Sequence, residues 1–331
     1  LTDAFYDILL KSIISIVLTG KINPQEKVSG LVATCSDEGE YNILSAEGEF
    51  ADQVGNSLFY VIDEKDESYN RLKCEGCFFS KRNVAFRFKS EMNPEVIVYI
   101  KSMHDFSEME RDLLLVFYSN VSISFSNMDL SNEIESTQKE ILYTLGGIAE
   151  ARSRELGQHV LRVAEYAKII ALGYGLPEDE AELIKQAAPM HDIGKIAILD
   201  QILIKPGRLT TDEFEVMKTH SNLGYDLLKN SNRKTLKAAA IIALQHHEKY
   251  NGEGYPNGLK GEEIHIYGRI VAVADVFDAL GCDRVYKKAW ELEKILDYFK
   301  QESGKHFDPV LVEILFEKLD LILKVKNTLP D

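Results

Sequence analysis

The stretch PMHDIGKIAI, residues 189–198, sets His191 and Asp192 side by side in an apolar frame and follows them with Gly194 and Lys195. Such charged and polar groups resist burial unless a partner compensates their lost hydration. Working outward, the possible partners share the C-terminal half: seven of the eight histidines, all but His104, lie beyond residue 158. In ARSRELGQHVLRV, Glu155 and His159 stand four apart, on one face of a helix. Alone, such a pair is more often a solvated face, and His220 in VMKTHSNLGYDLL is more often a structural histidine. His246 and His247 are harder to dismiss, because they close an apolar helix just before a glycine-rich loop. Asp275 sits inside VAVADVF, where an ionised carboxylate is costly unless it meets a cation. Adjacent ligands on an α-helix diverge by about 100°, so His191 and Asp192 grip one ion only if other elements complete its shell.

Taken together, five histidines and two or three carboxylates from separate helical segments exceed what one tetrahedral zinc requires. They suit two or three octahedral divalent ions that share bridging ligands. Imidazole and carboxylate without thiolate point to iron or manganese, and the sequence does not choose between these. On this reading a metal cluster compensates the burial of His191 and Asp192, and Lys195, one turn on, meets an anion held there.

The wider chain sets bounds on this reading. Its 331 residues, 45% of them hydrophobic, suffice for one large domain or two ordinary ones. A formal charge of −15 argues against a nucleic-acid polymer or an anionic membrane as partner, while a small anion remains possible at a locally cationic site. The apolar segment FYDILLKSIISIVLTG, residues 5–20, carries Asp7 and Lys11, is too short to span a bilayer, and lacks the marks of a signal peptide; it reads as a buried helix. Four cysteines are too few for a disulfide framework, which fits a reducing cytoplasm. Cys74 and Cys77 form a CxxC with no second half nearby, so a turn with two ordinary thiols is expected, with a redox or metal-sensing role as the alternative. The chain opens on Leu1 rather than Met, which leaves room for sequence upstream.

The texture changes once along the chain. Up to about Lys101, GLVATC (30–35), YNILSA (41–46), SLFYVID (57–63), NVAFRF (83–88) and EVIVYI (95–100) read as short strands of a small α+β domain. From Ser107 onward, apolar residues such as Leu114, Phe117, Val121, Phe125 and Leu142 recur at helical spacing, predicting a long helix broken near Ser126-Asn127. Such a helix either pairs with its copy in a dimer or packs on its own domains. Beyond about Ile141 the pattern is helical almost throughout.

The C-terminal region, from about Ile141 to Leu323, resembles the HD-GYP family of cyclic di-GMP phosphodiesterases, metal-dependent phosphohydrolases of the HD superfamily. The resemblance is carried in order by His159, HDIGK (191–195), KPG (205–207), His220, HHE (246–248), GYP (254–256), VADVFDAL (273–280), DRVYKKAW (283–290) and FDP (307–309). It implies that His159, His191, Asp192, His220, His246, His247 and Asp275 are metal ligands, with Glu155 an eighth that helps to bind a third ion. It further implies that Lys195 contacts the scissile phosphate, that Arg284 and Lys287 grip phosphate oxygens, and that Tyr255 shapes the site through the GYP loop. Asn251 stands where many members have Asp, and Gly281, Cys282 and Val285 depart from the common pattern, which leaves open whether cyclic di-GMP or another cyclic dinucleotide is preferred. The implied reaction is in-line hydrolysis at the 3′ ester, with Asp192 and Lys195 at the reacting phosphate, giving pGpG and, in at least some members of the family, then GMP. One alternative keeps the enzyme and changes the substrate to another phosphodiester or a nucleotide monophosphate, and a silent cyclic di-GMP receptor is the alternative from another class. More weakly, the N-terminal part resembles a GAF-type sensory domain with an unidentified ligand. The expected architecture is therefore multidomain: an α+β GAF-like domain over 1–107, a connecting helix over 108–140, and an all-α HD-GYP helical bundle over 141–331.

Overall fold

The computed structural model describes residues 3–19, 28–36, 38–62, 76–89, 94–153, 158–282 and 288–330. It divides into two compact units, Leu1–Ser136 and Thr137–Asp331.

The first unit is built on a five-stranded antiparallel sheet in the order β2-β1-β5-β4-β3. Its strands are β1 (Val28–Cys35), β2 (Tyr41–Glu47), β3 (Gly76–Phe79), β4 (Asn83–Phe88) and β5 (Val96–Ser102). Alternation of side chains across the pleat divides β4 and β5 between two cores. Val84, Phe86, Phe88, Val96, Val98 and Ile100 face one of them, and Ala85, Ile97 and Tyr99 face the other. The first core is closed by α1 (Asp3–Thr19), whose Tyr6, Leu9, Leu10, Ile13 and Val17 are buried, as expected for that apolar segment. SLFYVID is not a strand. Residues Leu58–Val61 form the short helix α2, because Leu58 and Ile62, four apart, are buried while Tyr60 between them is 92% exposed. The strand that sequence reading missed is β3, within CEGCFFS. Cys74 of the CxxC lies outside the described residues; Cys77 packs against the core, and burial pushes its thiol up to about 12, which leaves it unreactive.

Helix α3 (Glu108–Arg152) begins at a reciprocal cap, with the Ser107 N–H donating to Glu110 at 2.8 Å and the Glu110 N–H donating to Ser107 Oγ at 3.3 Å. It runs without a break through Ser126-Asn127, contrary to the expectation: neither residue is a helix breaker strong enough to act against burial of Phe125 beside them.

The second unit, apart from the end of α3, consists of α4 (His159–Tyr174), α5 (Glu178–Ala187), α6 (Asp200–Leu203), α7 (Thr211–Lys218), α8 (His220–Leu228), α9 (Lys234–Gln245), α10 (Ile266–Gly281), α11 (Leu292–Glu302), α12 (Pro309–Glu317) and α13 (Leu319–Thr328), with short 3₁₀ turns between some of them. Its core joins α4, α5, α9, α10 and α12 through residues such as Val163, Ile184, Ile242, Val273 and Leu315. No helix among the described residues is long and apolar enough to cross a membrane.

Candidate metal centre

Between α5 and α6 the chain makes two 3₁₀ turns, Ala188–Met190 and Ile193–Ala197, with His191 and Asp192 at their junction. The α-helical geometry that would have splayed adjacent side chains is thereby broken, and both reach one site. Gly194 lets α8 come close: a Cβ there would lie 1.9 Å from the carbonyl oxygen of His220. Any side chain would push His220 away from Asp192, whose carboxylate it now meets at 3.1 Å.

Three of the histidines share one orientation rule. Nδ1 of His191 lies 2.9 Å from the Ala188 carbonyl, Nδ1 of His220 lies 2.8 Å from that of Met217, and Nδ1 of His246 lies 3.0 Å from that of Ile242. A carbonyl oxygen only accepts, so each Nδ1 carries the proton and each Nε2 presents its lone pair. His159 follows the same rule with a carboxylate, its Nδ1 lying 2.8 Å from Asp278 Oδ2. Asp278 is held in turn by Arg162, which donates from Nε at 2.7 Å and from Nη2 at 2.9 Å.

The Nε2 atoms converge on a set of carboxylates. Asp192 Oδ1 faces Nε2 of His220 and of His246, the latter at 3.6 Å, while Oδ2 faces Nε2 of His191 at 3.3 Å and Lys195 Nζ at 2.6 Å. His247 lies against His246 with ring centroids 3.9 Å apart and the planes tilted by 42°, and Asp275 on α10 lies 3.5 Å from Nε2 of His159. Two groups of ligand atoms result, each spanning under 4.8 Å: Asp192 with His220, His246 and His247, and Glu150 with His159 and His191.

Glu150 is the candidate ligand in these groups that sequence reading missed. It lies near the end of α3, only 3% exposed, with Oε1 4.0 Å from His191 Nε2 and 3.8 Å from Lys195 Nζ. Gly146, one turn earlier, brings that helix end down on the HD turn, since a Cβ there would meet the Pro189 carbonyl oxygen at 2.3 Å. Arg152, two residues later, hydrogen-bonds the carbonyls of Ile196 and Ile198 and so fixes the segment that carries Lys195. Glu155, Arg284 and Lys287 lie outside the described residues.

The polar balance of this cluster calls for cations. Of the ten buried side-chain atoms without a hydrogen-bond partner among the described residues, six are here: both Glu150 oxygens, Asp192 Oδ1, and Nε2 of His191, His220 and His246. Orphaned buried groups are rare in folded chains, and lone pairs aimed at a common centre are what a metal ion satisfies. The chain's residues therefore fit divalent ions. The protonation tendencies agree. Burial and the neighbouring Asp192 push the Glu150 carboxyl up to about 7 despite Lys195. Burial alone would raise Asp192 too, but Lys195 and His191 hold it well below the usual carboxylate range. Burial keeps His246 and His247 neutral, as ligands must be. Burial works the same way on His191, yet Asp192 and the other nearby carboxylates outweigh it and raise the ring to about 10; that negative field equally favours a dication.

Tyr255 forms one wall, its ring 4.8 Å from that of His247, with Lys218 Nζ 5.7 Å from the tyrosine centroid. Glu248 fastens the GYP loop by accepting from the N–H groups of Asn257 at 2.8 Å and Leu259 at 3.1 Å.

Several relatives share this region. A 3'3'-cGAMP-specific phosphodiesterase of Vibrio cholerae is 44% identical over 243 residues, 73% of this chain and 47% of its own. A cyclic di-GMP phosphodiesterase response regulator of Xanthomonas campestris pv. campestris is 47% identical over 184 residues, 56% of this chain and 49% of its own. A cyclic di-GMP phosphodiesterase of Thermotoga maritima is 46% identical over 188 residues, 57% of this chain and 51% of its own. The chain thus spans about half the length of these relatives. Residues 2–134 match a domain of unknown function, DUF3369, and not a GAF domain, so the GAF resemblance finds no support. Residues 144–311 match the HD domain, and with the histidine–aspartate cluster inside that span the chain belongs to the HD domain family.

Proposed function

We propose that the second unit is a metal-dependent phosphodiesterase that hydrolyses cyclic di-GMP to pGpG, GMP or both. The observation that carries this reading is the convergence of orphaned Nε2 and carboxylate atoms around Asp192, with Lys195 at its edge. His220, His246, His247 and Asp192 would hold one ion, and His159, His191 and Glu150 another, with Asp275, 3.5 Å from His159 Nε2, a further proposed ligand. Glu155 is the proposed ligand of a third. Iron or manganese suits this oxygen- and imidazole-rich set. Bound there, such ions supply Lewis acidity and lower the pKa of water at the site.

The chain's own side chains do the rest. Lys195, anchored on Asp192 and backed by Glu150, offers its ammonium to the non-bridging oxygens of the scissile phosphate as negative charge builds. Burial raises the Tyr255 phenol above its ordinary range, so it stays protonated as a hydrogen-bond donor, with its ring against His247. The pair Arg162–Asp278 keeps His159 in the tautomer that presents Nε2. Arg284 and Lys287 are proposed to grip phosphate oxygens. The N-terminal unit is proposed as a sensory domain acting through α3 on the second.

A second substrate is favoured by one specific observation: a relative matched over 73% of this chain is named as 3'3'-cGAMP-specific. The test is chromatography of products after anaerobic incubation of the iron- or manganese-loaded protein with cyclic di-GMP and, separately, with 3'3'-cGAMP. Faster turnover of cyclic di-GMP to pGpG or GMP is expected. Preference for 3'3'-cGAMP would move the assignment to the second substrate, and tight binding without cleavage of either would make the protein a receptor.

A further inference from the structure

Helix α3 has two apolar faces, and among the described residues only one of them is packed against other elements. Toward its own units it buries Leu114, Phe125 and Ala149, with Val121, Met128 and Leu142 packed alongside. Another set of positions stays exposed along almost the whole helix and follows a strict seven-residue repeat. Met109, Val116, Ile123 and Leu130 form one row, continued by Thr137 and Thr144. Four residues after each begins the second row, Leu113, Asn120, Asn127, Ile134, Ile141 and Ile148. All of these are exposed, Val116 by 59% and Ile141 by 52%. An apolar stripe of this length on a straight α-helix would drift round the surface, whereas an exact repeat of seven is the pattern that two supercoiled helices share.

From this we infer that α3 pairs with α3 of a second copy of the chain as a parallel, in-register, two-stranded coiled coil running from about residue 109 to 148. The two rows correspond to the d and a positions of the heptad, and the core-facing residues named above fall at b, apart from Phe125 at f, on the outer side of such a coil. The two asparagines choose the orientation. Asn at an a position is satisfied by the same Asn of a parallel partner, at a cost in stability that specifies two strands and one register. An antiparallel pair overlapping over the same span would instead set Asn127 against Leu130, which leaves a buried amide unpaired. The flanking positions agree, since in the parallel register Glu133 meets Gln138 of the partner subunit, and no like charges are opposed. The catalytic reading plays no part in this inference, and the inference fails or stands without it.

Sedimentation equilibrium of the full chain at micromolar concentration is the first test, with twice the 37.4 kDa of one chain expected. Ile123→Glu with Ile134→Glu should return the mass to that of one chain while the helical circular dichroism is kept. Orientation is read by mild oxidation: Val116→Cys, which an antiparallel partner would set beside residue 141, should cross-link two copies, and Ser136→Cys, exposed but off the seam, should behave as the unsubstituted chain. If the double variant does not fold, the two cysteine variants decide alone. A one-chain mass for the unsubstituted protein, a dimer that survives both charges, or equal cross-linking of the two cysteine variants would overturn the proposal.

Discussion

Arg162 and Asp278 form a buried pair, the guanidinium donating to both carboxylate oxygens at 2.7 and 2.9 Å, and the same carboxylate orients His159. Replacing one partner leaves the other charged and alone in the interior, so Asp278→Asn should cost about 3–5 kcal/mol of stability. Burial alone would raise the Asp278 carboxyl, but hydrogen bonds from His159 and Arg162 prevail and bring it down from 3.8 to about 2. A group depressed in the folded state contributes stability above its unfolded pKa and loses it as pH falls through the folded one. The contribution, about 2 kcal/mol, should fade between about pH 4 and pH 2. Urea unfolding of the metal-free protein across that range should show the slope in the native chain and not in the variant.

Glu150 should matter to metal retention before it matters to anything else. Glu150→Gln keeps the size and removes the charge, and elemental analysis should show loss of one ion per chain with the Asp192–His220–His246 site still loaded. An unchanged metal count would restrict Glu150 to supporting Lys195.

Gly194 separates packing from chemistry. With a Cβ placed 1.9 Å from a backbone oxygen, Gly194→Ala must displace α8 or the HD turn. The expected penalty is about 1–3 kcal/mol or more, measured by thermal unfolding, together with weaker metal binding through His220. A fully stable, fully loaded variant would contradict the close approach described above.

Lys195→Ala should lower kcat on the preferred cyclic dinucleotide by about 10²–10³-fold, the usual effect of removing one electrostatic partner of a developing charge. Metal content should be unchanged, because Lys195 ligates nothing. Asp192→Ala should lose ions and turnover together.

Most of this site was legible in the sequence because its histidines sit where no ordinary core would keep them. HDIGK and HHE each break an apolar run, and Asp275 interrupts a helix of valines and alanines. Glu150 escaped because a single acid in GGIAEAR looks like a solvated helix residue. The available sign was Gly146 four residues earlier, marking the helix face that makes a close contact. Asp278 and Arg162 escaped for a related reason: each stands one turn beyond a ligand on its own helix, and only the fold shows that the two turns face each other. In the first unit, a run of five apolar residues fits a strand or a helix equally well by composition. Burial of Leu58 and Ile62 with Tyr60 outside decides for α2, and that is a tertiary fact. The heptad of α3 was hidden beneath the stronger pattern of its core-facing residues.

The central claim is that Nε2 of His159, His191, His220 and His246 and the carboxylates of Asp192 and Glu150 surround shared metal ions. Anomalous X-ray diffraction at the iron and manganese edges, from crystals of protein purified anaerobically with those metals, tests it most directly. The account predicts at least two peaks, one among Asp192, His220, His246 and His247 and one beside Glu150, His159 and His191. Metal-replete crystals with these side chains in place and no anomalous peak between them would contradict it.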